Sequence, residues 1–206
     1  MKNYIHSIQL LQKFSLGVSL LILFILPLII VFYPNSLSEQ VTLRLYDISH
    51  ITIFFVMIIR PLADIFTKST KIRPLVILRK GIGVLSASII VSFILAKVIV
   101  DPSGYFGSLF TSQYWSFENF AVLAHLGDLS AILLIVTSNN LSKKLLGLWW
   151  KRIQRLSYVY FYASSLYVFF IFNDYIVLLS MILVTALTYI AHIKNRKRKM
   201  LNTQTS

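Results

Sequence analysis

Residues 81–100 read GIGVLSASIIVSFILAKVIV, twenty positions with a single charged side chain, Lys97, flanked by Arg79 and Lys80 before and Asp101 after. As a helix, twenty residues reach about 30 Å, the thickness of a bilayer's hydrocarbon core. Lys97 lies near the far end of the run, where its stem can snorkel outward to the headgroups. Five more apolar runs of comparable length occur, at about 14–33, 47–66, 117–136, 151–172 and 175–193. The chain of 206 residues is 57% hydrophobic and 13% charged, too little polar surface to cover a water-soluble core. The fold class that follows is an all-α integral membrane protein, a six-transmembrane-helix bundle over 14–193. A short N-terminal segment (1–13) precedes it and a basic tail (194–206) follows.

The flanks orient the bundle. Lys2 and Lys13 precede the first run, and Lys68, Lys71, Arg73, Arg79 and Lys80 lie between the second and third. Lys143, Lys144, Lys151, Arg152 and Arg155 surround the fourth-to-fifth junction, and Lys194, Arg196, Lys197, Arg198 and Lys199 follow the sixth run. Seventeen of the twenty basic residues therefore share one side. The opposite loops hold Arg44 beside Glu39, Asp47, Asp101, Glu118 and Asp174. Positive residues are retained in the cytoplasm, so both termini are expected there. The expected location is a cell membrane, which in a bacterium is the cytoplasmic membrane.

Tyr105, Phe106, Tyr114 and Trp115 fall at the outer interface and Trp149 and Trp150 at the inner one, where amphipathic rings belong. The first run exceeds a signal-peptide core and no small-x-small cleavage motif follows it, so it reads as a retained helix that Pro27 kinks. The net charge of +13 is explained by this loop pattern, so the lipid bilayer, and no nucleic acid, is the expected partner. There is no cysteine, which excludes disulfides and thiolate metal sites. No metal-binding spacing, catalytic triad or nucleotide motif is present, so catalytic residues stay unassigned.

Three stretches carry a family resemblance. They are Arg60-Pro61-Leu62; Leu78-Arg79-Lys80-Gly81-Ile82-Gly83; and Leu133 to Asn139 (LLIVTSN) followed by Leu146-Gly147 and Trp150 to Tyr158 (WKRIQRLSY). In order and spacing, over about residues 55–170, the set resembles the ferric-reductase-like transmembrane domain, especially its heme-binding bacterial membrane-subunit branch. The resemblance implies electron transfer across the bilayer between hemes, as the membrane subunit of an oxidoreductase fed by a separate soluble or peripheral redox protein. It further implies histidine pairs about 13 residues apart, which a helical rise of about 1.5 Å per residue separates by about 20 Å. This chain carries Gln154 and Tyr167 at those places on the fifth run, and Ser92 and Phe93 on the third. Neutral imidazole is an apt axial ligand, whereas glutamine and serine are poor ones and tyrosine serves only in special cases.

Four histidines remain, of which His6 and His192 are interfacial. His50 and His125 lie within the second and fourth runs and form the hypothetical heme pair, although their counted depths differ by about 7 Å. Asp128 lies about 11 residues into the fourth run, on the His125 face. A carboxylate there costs about 2.5–3.5 kcal/mol on insertion scales. It is either a proton relay or histidine-orienting group, or a protonated aspartate hydrogen-bonded for packing. Arg60 and Asp64, four apart, form an internal pair, or Arg60 snorkels. Three functions stand: a heme electron-transfer module, a heme-free relative acting as a membrane partner or scaffold, and a small proton-coupled transporter using Asp128.

Overall fold

The computed structural model describes residues 2–33, 37–117 and 120–204. Glu118 and the outermost terminal residues fall outside them. Among the described residues there is no strand. The helices are α1 (Lys2–Phe32), α2 (Glu39–Ile65), α3 (Leu78–Val100), α4 (Pro102–Ser108), α5 (Ala121–Thr137), α6 (Asn140–Leu146), α7 (Leu148–Ile153), α8 (Leu156–Phe172) and α9 (Tyr175–Gln204). Single 3-10 turns lie at Arg73–Ile77 and Ser112–Trp115. Among the described residues, four helices are long and apolar enough to cross a membrane: α1, α2, Arg73–Val100 and Tyr175–Arg198. A fifth results if α5 and α6, bent by 95° at their junction, count as one. The chain is thus a helical membrane protein.

Helix ends depart from the apolar runs for identifiable reasons. α1 begins at Lys2 rather than at 14, because residues 2–13 contain no helix breaker and Ile8 is buried. α2 begins at Glu39, where Ser38 caps it by accepting from the Val41 N–H at 3.3 Å. α9 continues to Gln204, beyond the expected end at 193, because its basic tail is made of good helix formers. That tail packs back on the bundle: Arg198 donates to the Asp64 carbonyl at 3.0 Å and Lys194 to the Ile65 carbonyl at 3.5 Å. Cations at the C-terminal end of α2 complement its dipole.

α5 and α8 have 17 residues each, about 25 Å of helix. The run expected over 151–172 is broken at Gln154 and Arg155, which separate α7 from α8. After α5 the chain turns sharply at Asn139, whose side chain caps α6 by accepting from the Ser142 N–H at 2.6 Å. Gly147 joins α6 to α7 with φ +51°, a conformation that side-chain-bearing residues rarely adopt. Asn173 ends α8 in the left-handed region, which Asn tolerates.

α3 lies at the centre, with α1, α2 and α5 around it. α1 and α3 run parallel and close: Ser92 donates to the Ile22 carbonyl at 3.1 Å, and Gly81 sits against Gln12 and Ser15. α5 packs on α8, with Gly127 against Ser164. The core gathers Ile53, Met57, Val91, Ala131, Phe161 and Val184. Buried serines link helices within it, as small polar residues do in membrane bundles. Ser49, Ser86 and Tyr160 share hydroxyl contacts of 3.0–3.1 Å between α2, α3 and α8.

All four basic clusters meet at one end of this bundle. Tyr4 donates to the Lys71 carbonyl at 2.9 Å, bringing the start of α1 to the α2–α3 loop. The α9 tail reaches the end of α2, and Lys143, Lys151 and Arg155 face a space shared with Arg79 and Lys80.

Candidate functional site

Three of the four positions where the resemblance implies axial ligands hold engaged side chains. Gln154 donates through Nε2 to Thr137 Oγ1 at 3.3 Å. Ser92 donates to the Ser88 carbonyl at 2.7 Å as well as to Ile22. Phe93 stacks on Tyr46 with ring centroids 4.9 Å apart. Tyr167 is half-buried on α8.

His50 shares a 2.9 Å hydrogen bond from Nε2 with Ser165 and lies 6.4 Å from the Phe161 ring. His125 stacks on Tyr114 with centroids 3.3 Å apart, and Trp115 meets its edge. Depth does not separate the two histidines. Ser165 holds His50, and Ser164 packs on Gly127, two residues from His125, so both lie near one level of α8. The counted 7 Å offset took the starts of the two apolar runs as a common level, which they are not: α2 starts eight residues before its run and α5 four residues after. Yet no ring contact or hydrogen bond joins them among the described residues, and Phe161, fully buried, fills the core beside His50. The pair is not presented to one heme: Nε2 of His50 is hydrogen-bonded to Ser165 and Tyr114 covers the His125 ring face, while His125 Nδ1 is buried without a hydrogen-bond partner among the described residues.

Asp128 has no hydrogen bond or ion pair among the described residues, and the charged group that acts on it is Lys97 of α3. Its own charge is felt by Tyr105 and Tyr114, at the end opposite the basic clusters. Both phenols are raised above the ordinary tyrosine value, chiefly by burial; Asp128 adds to this for each, and Tyr105 adds for Tyr114. Arg60 and Asp64 pair at 3.2 Å with side chains 55% and 28% exposed, a surface contact of small energetic weight.

The feature that sequence reading missed is a cavity of about 720 Å³ at the basic end, between α2, α3, the end of α5, α6, α7 and the start of α8. It exists because α5 and α8 are short: where they stop, α6 and α7 turn aside and leave the ends of α2 and α3 uncovered. Arg60, Arg79, Lys80, Lys143, Lys151 and Arg155 line it, and among the described residues no acidic one does. Its apolar part is formed by Ile53, Val56, Val84, Ala87 and Leu134. Trp150 braces the rim, donating from Nε1 to the Thr137 carbonyl at 2.9 Å, with Lys143 5.4 Å above its ring. Such a volume suits a small ligand. The only signal in the sequence was the basic residues themselves, which loop orientation already explains. No family model, curated protein or solved structure matches the chain.

Proposed function

We propose that this chain is a six-span membrane protein, both termini cytoplasmic, that works as a heme-free binding protein for an anionic ligand on a ferric-reductase-like scaffold. The observation that carries the reading is the cavity lined, among the described residues, by six cations and no acid. Gathering like charges in one partly enclosed space costs free energy that an anion offsets. Electron transfer through a heme, with its separate redox donor, has less support, because Gln154, Ser92 and Phe93 are committed to packing.

Six spans are supported by parity. The contacts of Tyr4 with Lys71 and of Arg198 with Asp64 bring both ends of the chain to one end of the bundle, which requires an even number of crossings. α5 and α8, at the lower end of the roughly 17–25 residue range for a span, complete the four longer helices to six. The absence of native cysteine makes this directly testable. A cysteine at Gln113 is expected to react with an impermeant maleimide in intact cells, and one at Lys144 only after lysis. Labelling of both in intact cells would refute the orientation.

The binding function is tested on detergent-purified protein by following unfolding through Trp115, Trp149 and Trp150. Pyrophosphate is expected to raise the unfolding midpoint while chloride at equal ionic strength does not. The triple variant Lys143→Gln, Lys151→Gln, Arg155→Gln is expected to lose the effect. The visible spectrum, oxidised and dithionite-reduced, is expected to be flat. A Soret band that shifts on reduction and disappears in His50→Ala or His125→Ala would refute the heme-free reading. Equal protection of wild type and triple variant would refute the site.

A further inference from the structure

The cavity is graded. Its cations stand at the mouth, with Lys80, Lys151 and Arg155 exposed, whereas its floor is apolar, with Ile53, Val56, Ala87 and Leu134 buried. Arg79 lies between the two. Its Nε donates to the Val56 carbonyl at 3.0 Å, which fixes the guanidinium, and both Nη nitrogens have no acceptor among the described residues. A fixed guanidinium with free paired donors suits the planar, bidentate recognition of a phosphate. Tyr158 adds a hydroxyl without a hydrogen-bond partner among the described residues. Of the six cations only Arg60 is in an ion pair among the described residues, so five remain for an anion. Trp150 lines the cavity, and next to it in the chain Arg152 lies 4.6 Å above the Trp149 ring. Tryptophan and arginine together mark headgroup depth.

A free inorganic anion would use the mouth and leave the floor bare. We infer that the ligand is a phosphate-headed amphiphile: its phosphate lies among Arg79, Lys143, Lys151 and Arg155, and the first part of its chain lies on Ile53, Val56, Val84 and Leu134. This rests on the anion-binding reading and adds the apolar half of the ligand. Each methylene moved from water onto this floor strengthens binding by about fourfold, so a few suffice to separate a water-dispersed short-chain lipid from a bare phosphate.

The test measures the affinity of the detergent-purified full chain for dioctanoyl phosphatidic acid, dioctanoyl phosphatidylcholine and pyrophosphate. Phosphatidic acid is expected to bind at least about tenfold more tightly than either of the others. Lys151→Gln with Arg155→Gln is expected to weaken it by at least about tenfold. Gly83 faces the floor, and a Cβ there would meet Val56 at an ordinary 3.7 Å, so a larger side chain extends into the cavity. Gly83→Leu is expected to weaken phosphatidic acid while leaving pyrophosphate unchanged, and Val84→Phe serves as a second variant should the first fail to fold. If pyrophosphate binds as tightly as phosphatidic acid and neither floor variant matters, the amphiphile is overturned and the anion site survives. If phosphatidylcholine binds as tightly as phosphatidic acid, the proposed headgroup recognition is overturned; if neither anion binds, both readings fall.

Discussion

Replacing Phe161 by alanine is expected to lower the stability of the bundle by about 3 kcal/mol, the largest single loss available to one side chain here. Phe161 is fully buried and belongs to the central cluster with Ile53, Met57, Ala131 and Val184. Its ring lies 5.2 Å from that of Tyr162 and 6.4 Å from that of His50. In a bilayer the truncated side chain gains little from water exclusion, because separated helices remain in lipid. What is lost is dispersion contact across a packed interior, together with the cavity left behind. The loss is read as an earlier unfolding midpoint when the purified protein is titrated with sodium dodecyl sulfate. Phe110, 90% exposed, is the matched control: Phe110→Ala should leave the midpoint unchanged. Equal midpoints for the two variants would show that Phe161 is not in the core.

Gly81→Val is expected to be nearly as damaging, by about 2–3 kcal/mol, through overpacking rather than a void. A Cβ at Gly81 would lie 2.9 Å from the Gln12 carbonyl oxygen, 3.3 Å from Gln12 Cα and 3.2 Å from Ser15 Cβ. Two of these are backbone atoms of α1, which cannot rotate away, so the two helices must separate. Their separation also strains the Ser92 bond to the Ile22 carbonyl. Gly17, on the same helix pair, meets nothing within 4 Å of an added Cβ. Gly17→Val should therefore unfold at the wild-type midpoint in the same titration. A Gly81→Val protein as stable as Gly17→Val would mean that α1 does not approach α3 this closely.

Gly81 was legible as part of a basic-pair-and-glycine opening to the third run, but not as a point of close approach to α1. Neither the α1–α3 pairing nor its parallel sense is written in the periodicity of either segment. The heme question divides in the same way. That Gln154, Tyr167, Ser92 and Phe93 replace the implied ligands is plain from the residues. That Gln154 is tied to Thr137, and Phe93 to Tyr46, required the fold. Helix ends misled the depth comparison of His50 and His125, because Ser38 starts α2 well before hydrophobicity rises.

The sequence by itself determined a helical membrane protein with its positive charge grouped between apolar runs. Hydrophobic length and charge placement are properties of contiguous segments, and the bilayer responds to each segment separately. Only the tertiary structure decided that α5 and α8 stop short, that α6 and α7 turn aside, and that Arg79, Lys143 and Arg155 then face one cavity. Those outcomes bring to one cavity residues far apart in the chain, Arg79 and Arg155 being 76 positions apart, and no local pattern carries such a juxtaposition.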